Sequence, residues 1–128
     1  MGTATTIQLV SAEGFFHGYI ILPGMMTALG SLTEKASLLK SLNYSLATPP
    51  PIPILATHTT DAITSGAIMS HVFIIEGYIK KIFSDYTHLG DIKVIATGGL
   101  SSLVIQHTSM IDIFDEHLLL EGLARTIK

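Results

Sequence analysis

The stretch from Thr60 to Tyr86 constrains this chain most. Along it Ile63, Ala67, Ile74, Ile75, Tyr78, Ile82 and Phe83 recur at three- and four-residue steps, the spacing that gathers side chains on one face of a helix. A single long helix is expected. Thr59 or Thr60 is placed to cap it, with Asp61 near the positive end of the helix dipole. Glu76 and Lys80 are spaced for an i,i+4 ion pair. A helix with so long an apolar face must pack on something, and the remaining segments have to supply it.

Those segments alternate in character. Thr5–Val10 (TTIQLV) is β-branched and apolar and predicts a strand. Gly14 makes a turn, and Phe15–Leu22 (FFHGYIIL) is its hairpin partner. Pro23-Gly24 ends that strand, and Met25–Lys40 holds helix formers with a break near Gly30-Ser31, where Ser31 or Thr33 can cap a second helix. Asn43–Pro53 holds four of the five prolines, so it predicts an extended connector. After the long helix, Ile92–Thr97 (IKVIAT) is a short buried-type strand, Leu100–Gln106 a helix, Ile111–Phe114 a strand and His117–Ile127 a last amphipathic helix. Strands alternating with helices imply an α/β sandwich with parallel crossovers.

Composition narrows the class. The 128 residues are one domain's worth. Only 13% are charged and the mean hydropathy is +0.52, against a usual charged share of about 25%. Either the chain enters a membrane or it covers apolar faces with a partner. The best spanning candidate, Gly14–Thr33, carries His17 and a central Pro23-Gly24 that breaks a spanning helix. Met1 is followed by Gly2-Thr3-Ala4-Thr5-Thr6 with no basic run, so no signal peptide is expected. A cytoplasmic chain with a large contact surface is the expectation. With no cysteine there is neither a disulfide framework nor a thiolate metal site. The net charge of -3 gives no reason to expect nucleic acid. The six histidines show no metal spacing, His71 reads as a core or interface residue, and no nucleophile elbow occurs.

Four small-residue clusters remain. Gly2-Thr3-Ala4-Thr5-Thr6 opens a strand, where small residues let backbone amides approach an anion and hydroxyls add donors. Ala96-Thr97-Gly98-Gly99 lies between a strand and a helix, the edge where ligands bind open α/β sheets, and its glycines leave room for a flat base or a phosphate. His17–Gly24 (HGYIILPG) ends in a Pro-Gly turn, and Thr59–Gly66 (TTDAITSG) opens the long helix. Singly, each is equally an ordinary turn or capping cluster.

Their order, with KVIATGG and a closing FDEHLLLEGL, resembles type III pantothenate kinases of the acetate and sugar kinase, Hsp70 and actin superfamily. The matching family segments run D-x-G-T-A-T, G-G-x-I-x-P-G, N-T-x-E-A-[IM]-x-S-G, V-x-A-T-G-G and D-x-x-L-x-L-x-G-L. The resemblance spans the whole chain and implies a single RNase H-like half-domain, a mixed sheet with flanking helices. It corresponds to the C-terminal half of a two-half architecture with the active site in the cleft.

The function implied is ATP-dependent phosphorylation of pantothenate, the first step toward coenzyme A, with Mg²⁺ and a monovalent cation (K⁺ or NH₄⁺). Thr3 matches a threonine that contacts ATP, and Gly98 and Gly99 match glycines beside the adenosine. Thr59 matches a threonine that reaches pantothenate in the neighbouring subunit of a homodimer, with Thr60 in its place if the register slips by one. His17 is set against the first glycine of G-G-x-I-x-P-G, where an imidazole would crowd the cleft wall, and His58 against an asparagine. The family's first half carries D-x-G-N-T and G-x-D-R, the latter with the general-base aspartate. Neither motif occurs here, and the cation-holding aspartate two residues before Gly2 is missing too. The resemblance therefore implies a chain that is catalytically silent alone and needs a separately encoded N-terminal half. The alternative is a non-catalytic dimerisation module or a truncated relic.

Overall fold

The computed structural model describes residues 1–36, 38 and 52–127. β1 (Ala4–Val10) and β2 (Phe16–Pro23) form an antiparallel hairpin. Its turn closes through the Gly14 N–H donating to the Ser11 carbonyl at 2.9 Å, with Gly14 at φ 84°, a left-handed conformation that favours glycine. Pairing runs from Ala4 opposite Pro23 to Val10 opposite Phe16, with an irregularity between Leu9 and Val10. Strand alternation sorts the residues into two faces. Thr5, Ile7, Leu9, Ile20 and Leu22 point inward, while Thr6, Gln8, Val10, Phe16, Tyr19 and Ile21 point outward and are exposed.

α1 (Met25–Lys35) follows directly. It runs unbroken through Gly30-Ser31, and Thr33 lies within it. The Thr33 hydroxyl donates back to the Leu29 carbonyl at 3.0 Å, the in-helix alternative open to a threonine. The tail of the expected helix, to Lys40, and nearly all of the proline connector lie outside the described residues.

α2 (Thr59–Asp85) is the long helix the periodicity predicts. Its N-cap is His58, with no side-chain capping bond; Thr59 and Thr60 lie inside the helix instead, and the Thr60 carbonyl accepts from the Thr64 hydroxyl. The buried apolar line is Ile63, Ile68, Val72, Ile75 and Ile79, whereas Ile74, Tyr78 and Phe83 are exposed. The run is apolar nearly all round, and the partners select the face: Met25 and Leu29 of α1 and Val104 complete the core with it. Fully burying a side chain of this kind contributes about 1.5–3 kcal/mol. The expected Glu76–Lys80 pair does not form. Glu76 accepts from the Thr108 hydroxyl at 2.7 Å, and Lys81 pairs with Asp85 at 3.0 Å on the surface. α2 is long and apolar enough to cross a bilayer by length and composition alone, but one face of it forms this core.

Past Gly90, the expected strand 92–97 is reduced to β3 (Ile95–Ala96), paired in parallel with β4 (Ile113–Phe114). Asp112 interrupts the ladder: its carboxylate accepts from the Val94 N–H at 2.8 Å, a side chain taking a backbone partner's place. α3 (Ser101–Ile105) lies between them, and α4 (Leu118–Thr126) follows with no buried residue. Among the described residues, the mixed sheet expected from the sequence is thus two two-stranded sheets. They meet at Met1, whose amine donates to the Thr97 carbonyl at 2.7 Å and whose carbonyl accepts from the Leu100 N–H at 3.4 Å.

Candidate functional site

Residues 1–3 lie between two glycines. On one side the Gly24 N–H donates to the Thr3 carbonyl at 2.9 Å, and the Thr27 hydroxyl donates to the same oxygen at 2.7 Å. A Cβ built on Gly24 would stand 2.6 Å from that oxygen. On the other side Gly98, at φ 101°, packs so closely that a Cβ would stand 2.5 Å from the Met1 carbonyl oxygen. The Pro-Gly turn and the Thr-Gly-Gly turn therefore serve one purpose, close approach of backbone to backbone, which only glycine permits.

The structure brings Thr3 and Gly98-Gly99 to one edge through this clamp. The Thr3 side chain is exposed, and beside Gly2 and Gly99 there is open space. The edge offers hydroxyl and amide donors and no bulky wall, a surface that can admit phosphate oxygens. The expected helix dipole adds little, because α3 has five residues. Its first residue, the buried Ser101, donates its hydroxyl to the Thr97 carbonyl at 2.6 Å and so fixes the turn.

A buried bond supports the edge from beneath. The Thr5 hydroxyl and His71 Nε2 are 2.9 Å apart, both groups buried, joining the first motif to the middle of α2. Burial, and secondarily repulsion from the N-terminal ammonium, holds the His71 pKa below its ordinary value. The ring is therefore the neutral partner of Thr5. Thr27, Ser101 and His71 carry no local sequence signal for this role, since they act through contacts with residues distant in the chain.

Thr59 does not join the cluster. It is exposed in the first turn of α2, twelve residues from His71, or about 18 Å along the helix axis. Thr60 is beside it. His17 is likewise elsewhere: it lies near the turn end of the hairpin, about 20 Å of strand from Pro23, with its ring 5.7 Å from that of Tyr86. It does not crowd the glycine edge. Counted back from Gly24, the seven-residue G-G-x-I-x-P-G pattern begins at Gly18, so Tyr19 stands at its second glycine. Gly18, at φ 138°, keeps the conformation that favours glycine.

Among the described residues no three His, Asp or Glu side chains converge as a cation site. The groups bonded within the clamp are backbone carbonyls, amides and the Thr27 hydroxyl, with no carboxylate of the kind Mg²⁺ usually takes from a protein. Asp115 follows β4 at the same sheet edge, its N–H donating to the Ala96 carbonyl at 2.9 Å, but its Oδ1 accepts from the His117 N–H at 2.9 Å.

The family model for type III pantothenate kinase matches residues 1–81. The chain belongs to the type III pantothenate kinase family. Among the relatives so named, that of Exiguobacterium sp. is 36% identical over 122 residues, covering 95% of this chain and 45% of the relative. That of Nocardia farcinica is 36% identical over 126 residues, covering 97% and 46%. This chain thus spans about half the length of the curated relatives it matches. A solved structure described as a Baf family transcriptional activator from Campylobacter jejuni superposes with a TM-score of 0.59 at 20% identity, over 96% of this chain and 52% of that one. That likeness speaks for the fold alone.

Proposed function

We propose that this chain forms the ATP-facing second half of a pantothenate kinase, an RNase H-like half-domain that works only when a first half completes the cleft. The observation that carries the reading is the double glycine clamp. Gly24 and Gly98 hold residues 1–3 so that Thr3 and Gly99 line one edge, and both belong to motifs of the kinase pattern.

In the reaction the γ-phosphorus to oxygen bond of ATP breaks. A new bond forms to the primary hydroxyl oxygen of pantothenate, giving 4'-phosphopantothenate and ADP, and the hydroxyl proton leaves to a base. Such a transfer is mostly positioning and charge stabilisation. Thr3 and the amides near Gly2 and Gly99 supply donors to phosphate oxygens, and the glycines leave room for the nucleotide. With no carboxylate within the clamp, the base comes from the complementary half. Thr59 contacts pantothenate across a homodimer, away from the cluster of its own chain. The assembled enzyme is cytoplasmic.

The test measures ATP binding and pantothenate phosphorylation by this chain alone and together with the complementary half of a relative. The expected result is no phosphorylation alone and phosphorylation by the mixture, abolished by Gly98→Ala. Loss of a general base costs about 10²–10⁴-fold, so turnover by the purified chain alone at a rate near that of the mixture refutes the proposal. A second reading, a non-catalytic interaction module, is favoured by the exposed apolar side chains on α2, the hairpin and α4. It predicts a stable self-assembly that binds no nucleotide.

A further inference from the structure

We infer that the outer face of the β1–β2 hairpin, continued by α4, is the seat of the complementary half, an inference that rests on the two-half reading above. Val10, Phe16, Tyr19 and Ile21 stand on that face at 55, 51, 60 and 63% exposure. Their cross-strand register makes them one surface: Val10 lies opposite Phe16, Gln8 opposite Tyr19 and Thr6 opposite Ile21. None of these residues is charged. The face continues into α4. Gln8 and Thr97 line a groove of about 290 Å³ together with Leu119 and Leu123 of α4, a helix that buries none of its own residues.

Four hairpin side chains and the α4 leucines amount to apolar area on the order of several hundred Å², at or beyond the largest patch of an ordinary monomer. The exposed side of α2 differs toward its C-terminal end, where Lys80, Lys81 and Asp85 stand among its apolar residues.

Two observations select the occupant. The chain spans 45 to 46% of its Exiguobacterium and Nocardia relatives, so a body of about equal size accompanies this architecture in them. The apolar surface also reaches Thr97, which carries the Gly98 turn. A partner seated there stands beside the glycine edge, where the missing base is needed.

The experiment uses the segment of the Exiguobacterium kinase outside the matched region, expressed as a separate tagged chain. Binding is measured by titration with this chain and with Tyr19→Asp, Ile21→Lys and, as a control on α2, Phe73→Lys. The expected result is a complex weakened about tenfold or more by each hairpin substitution and less than about twofold by the control. A photoreactive phenylalanine analogue at position 19 should crosslink to the segment and one at position 73 should not, which covers the case of a hairpin variant that fails to fold.

Absence of a complex, equal weakening by Phe73→Lys, or crosslinking from position 19 to a second copy of this chain overturns the inference. A complex that forms through the hairpin yet phosphorylates no pantothenate leaves the docking surface standing and removes the kinase reading. An active complex indifferent to Tyr19→Asp and Ile21→Lys does the reverse.

Discussion

Replacing His71 with phenylalanine removes the one partner that the Thr5 hydroxyl has among the described residues. Thr5 and His71 are 2% and 5% exposed, and their polar atoms are 2.9 Å apart. The lost hydrogen bond contributes about 0.5–1.5 kcal/mol, and the Thr5 hydroxyl left dry costs about 1–3 kcal/mol. The single substitution should therefore destabilise by about 1–3 kcal/mol, roughly 3–10 °C in melting temperature for a domain of this size. Thr5→Val should cost a similar amount by stranding the imidazole. The double variant replaces both partners with apolar groups, which can be nearly neutral, so it should be more stable than the sum of the singles predicts by at least about 1 kcal/mol. Urea unfolding of the four proteins gives this coupling directly. Additivity within about 0.5 kcal/mol would refute the bond's energetic role.

The same pair predicts a pH dependence. Because the folded-state pKa of His71 lies below its ordinary 6.5, the unfolded chain takes up a proton that the folded chain refuses. Stability then rises with pH, and it falls on acidification once the pH passes below about 6.5, by up to about 1.4 kcal/mol per unit. His71→Phe should flatten that part of the profile, and an unchanged slope between pH 7 and 5 would show that the ring titrates freely.

Gly98→Ala combines a positive-φ penalty of about 1–3 kcal/mol with a Cβ 2.5 Å from the Met1 carbonyl oxygen. It should destabilise by about 2–5 kcal/mol in urea unfolding and release residues 1–3, read as faster amide exchange at Gly2 and Thr3. Ile68, fully buried between α2 and its partners, should cost about 2–5 kcal/mol when cut to alanine. Lys81→Ala removes an exposed ion pair and should shift stability by less than about 0.5 kcal/mol, within the scatter of denaturant titrations.

Much was legible from local chemistry alone. The long helix, the hairpin and the two glycine turns follow from periodicity, β-branching and breaker residues, which act within a few positions of the chain. The identity of Thr3, Gly98 and Gly99 as one edge was legible only because their motifs occur in a recognisable order. Spacing within one motif says nothing of its distance to another. The errors are of one kind. The periodicity of α2 predicted Ile74, Tyr78 and Phe83 on the packed face, yet Ile68, Val72 and Ile79 occupy it, because α1 and α3 choose among several apolar stripes. Thr33 and Thr60 are plausible caps by residue type, but each lies inside a helix, where capping chemistry is not needed. Glu76 was spaced for Lys80 but finds Thr108, brought near by the tertiary fold.

The sequence alone determined which segments form strands and which form helices, and in what order, since that depends on backbone preferences expressed residue by residue. Only the tertiary structure decided that Gly24 packs against Gly2 and Thr3 while Gly98 packs against Met1, that His71 sits beneath Thr5, and that Thr59 stays apart from them. Each depends on two segments far apart in the chain coming within bonding distance, and packing sets that distance.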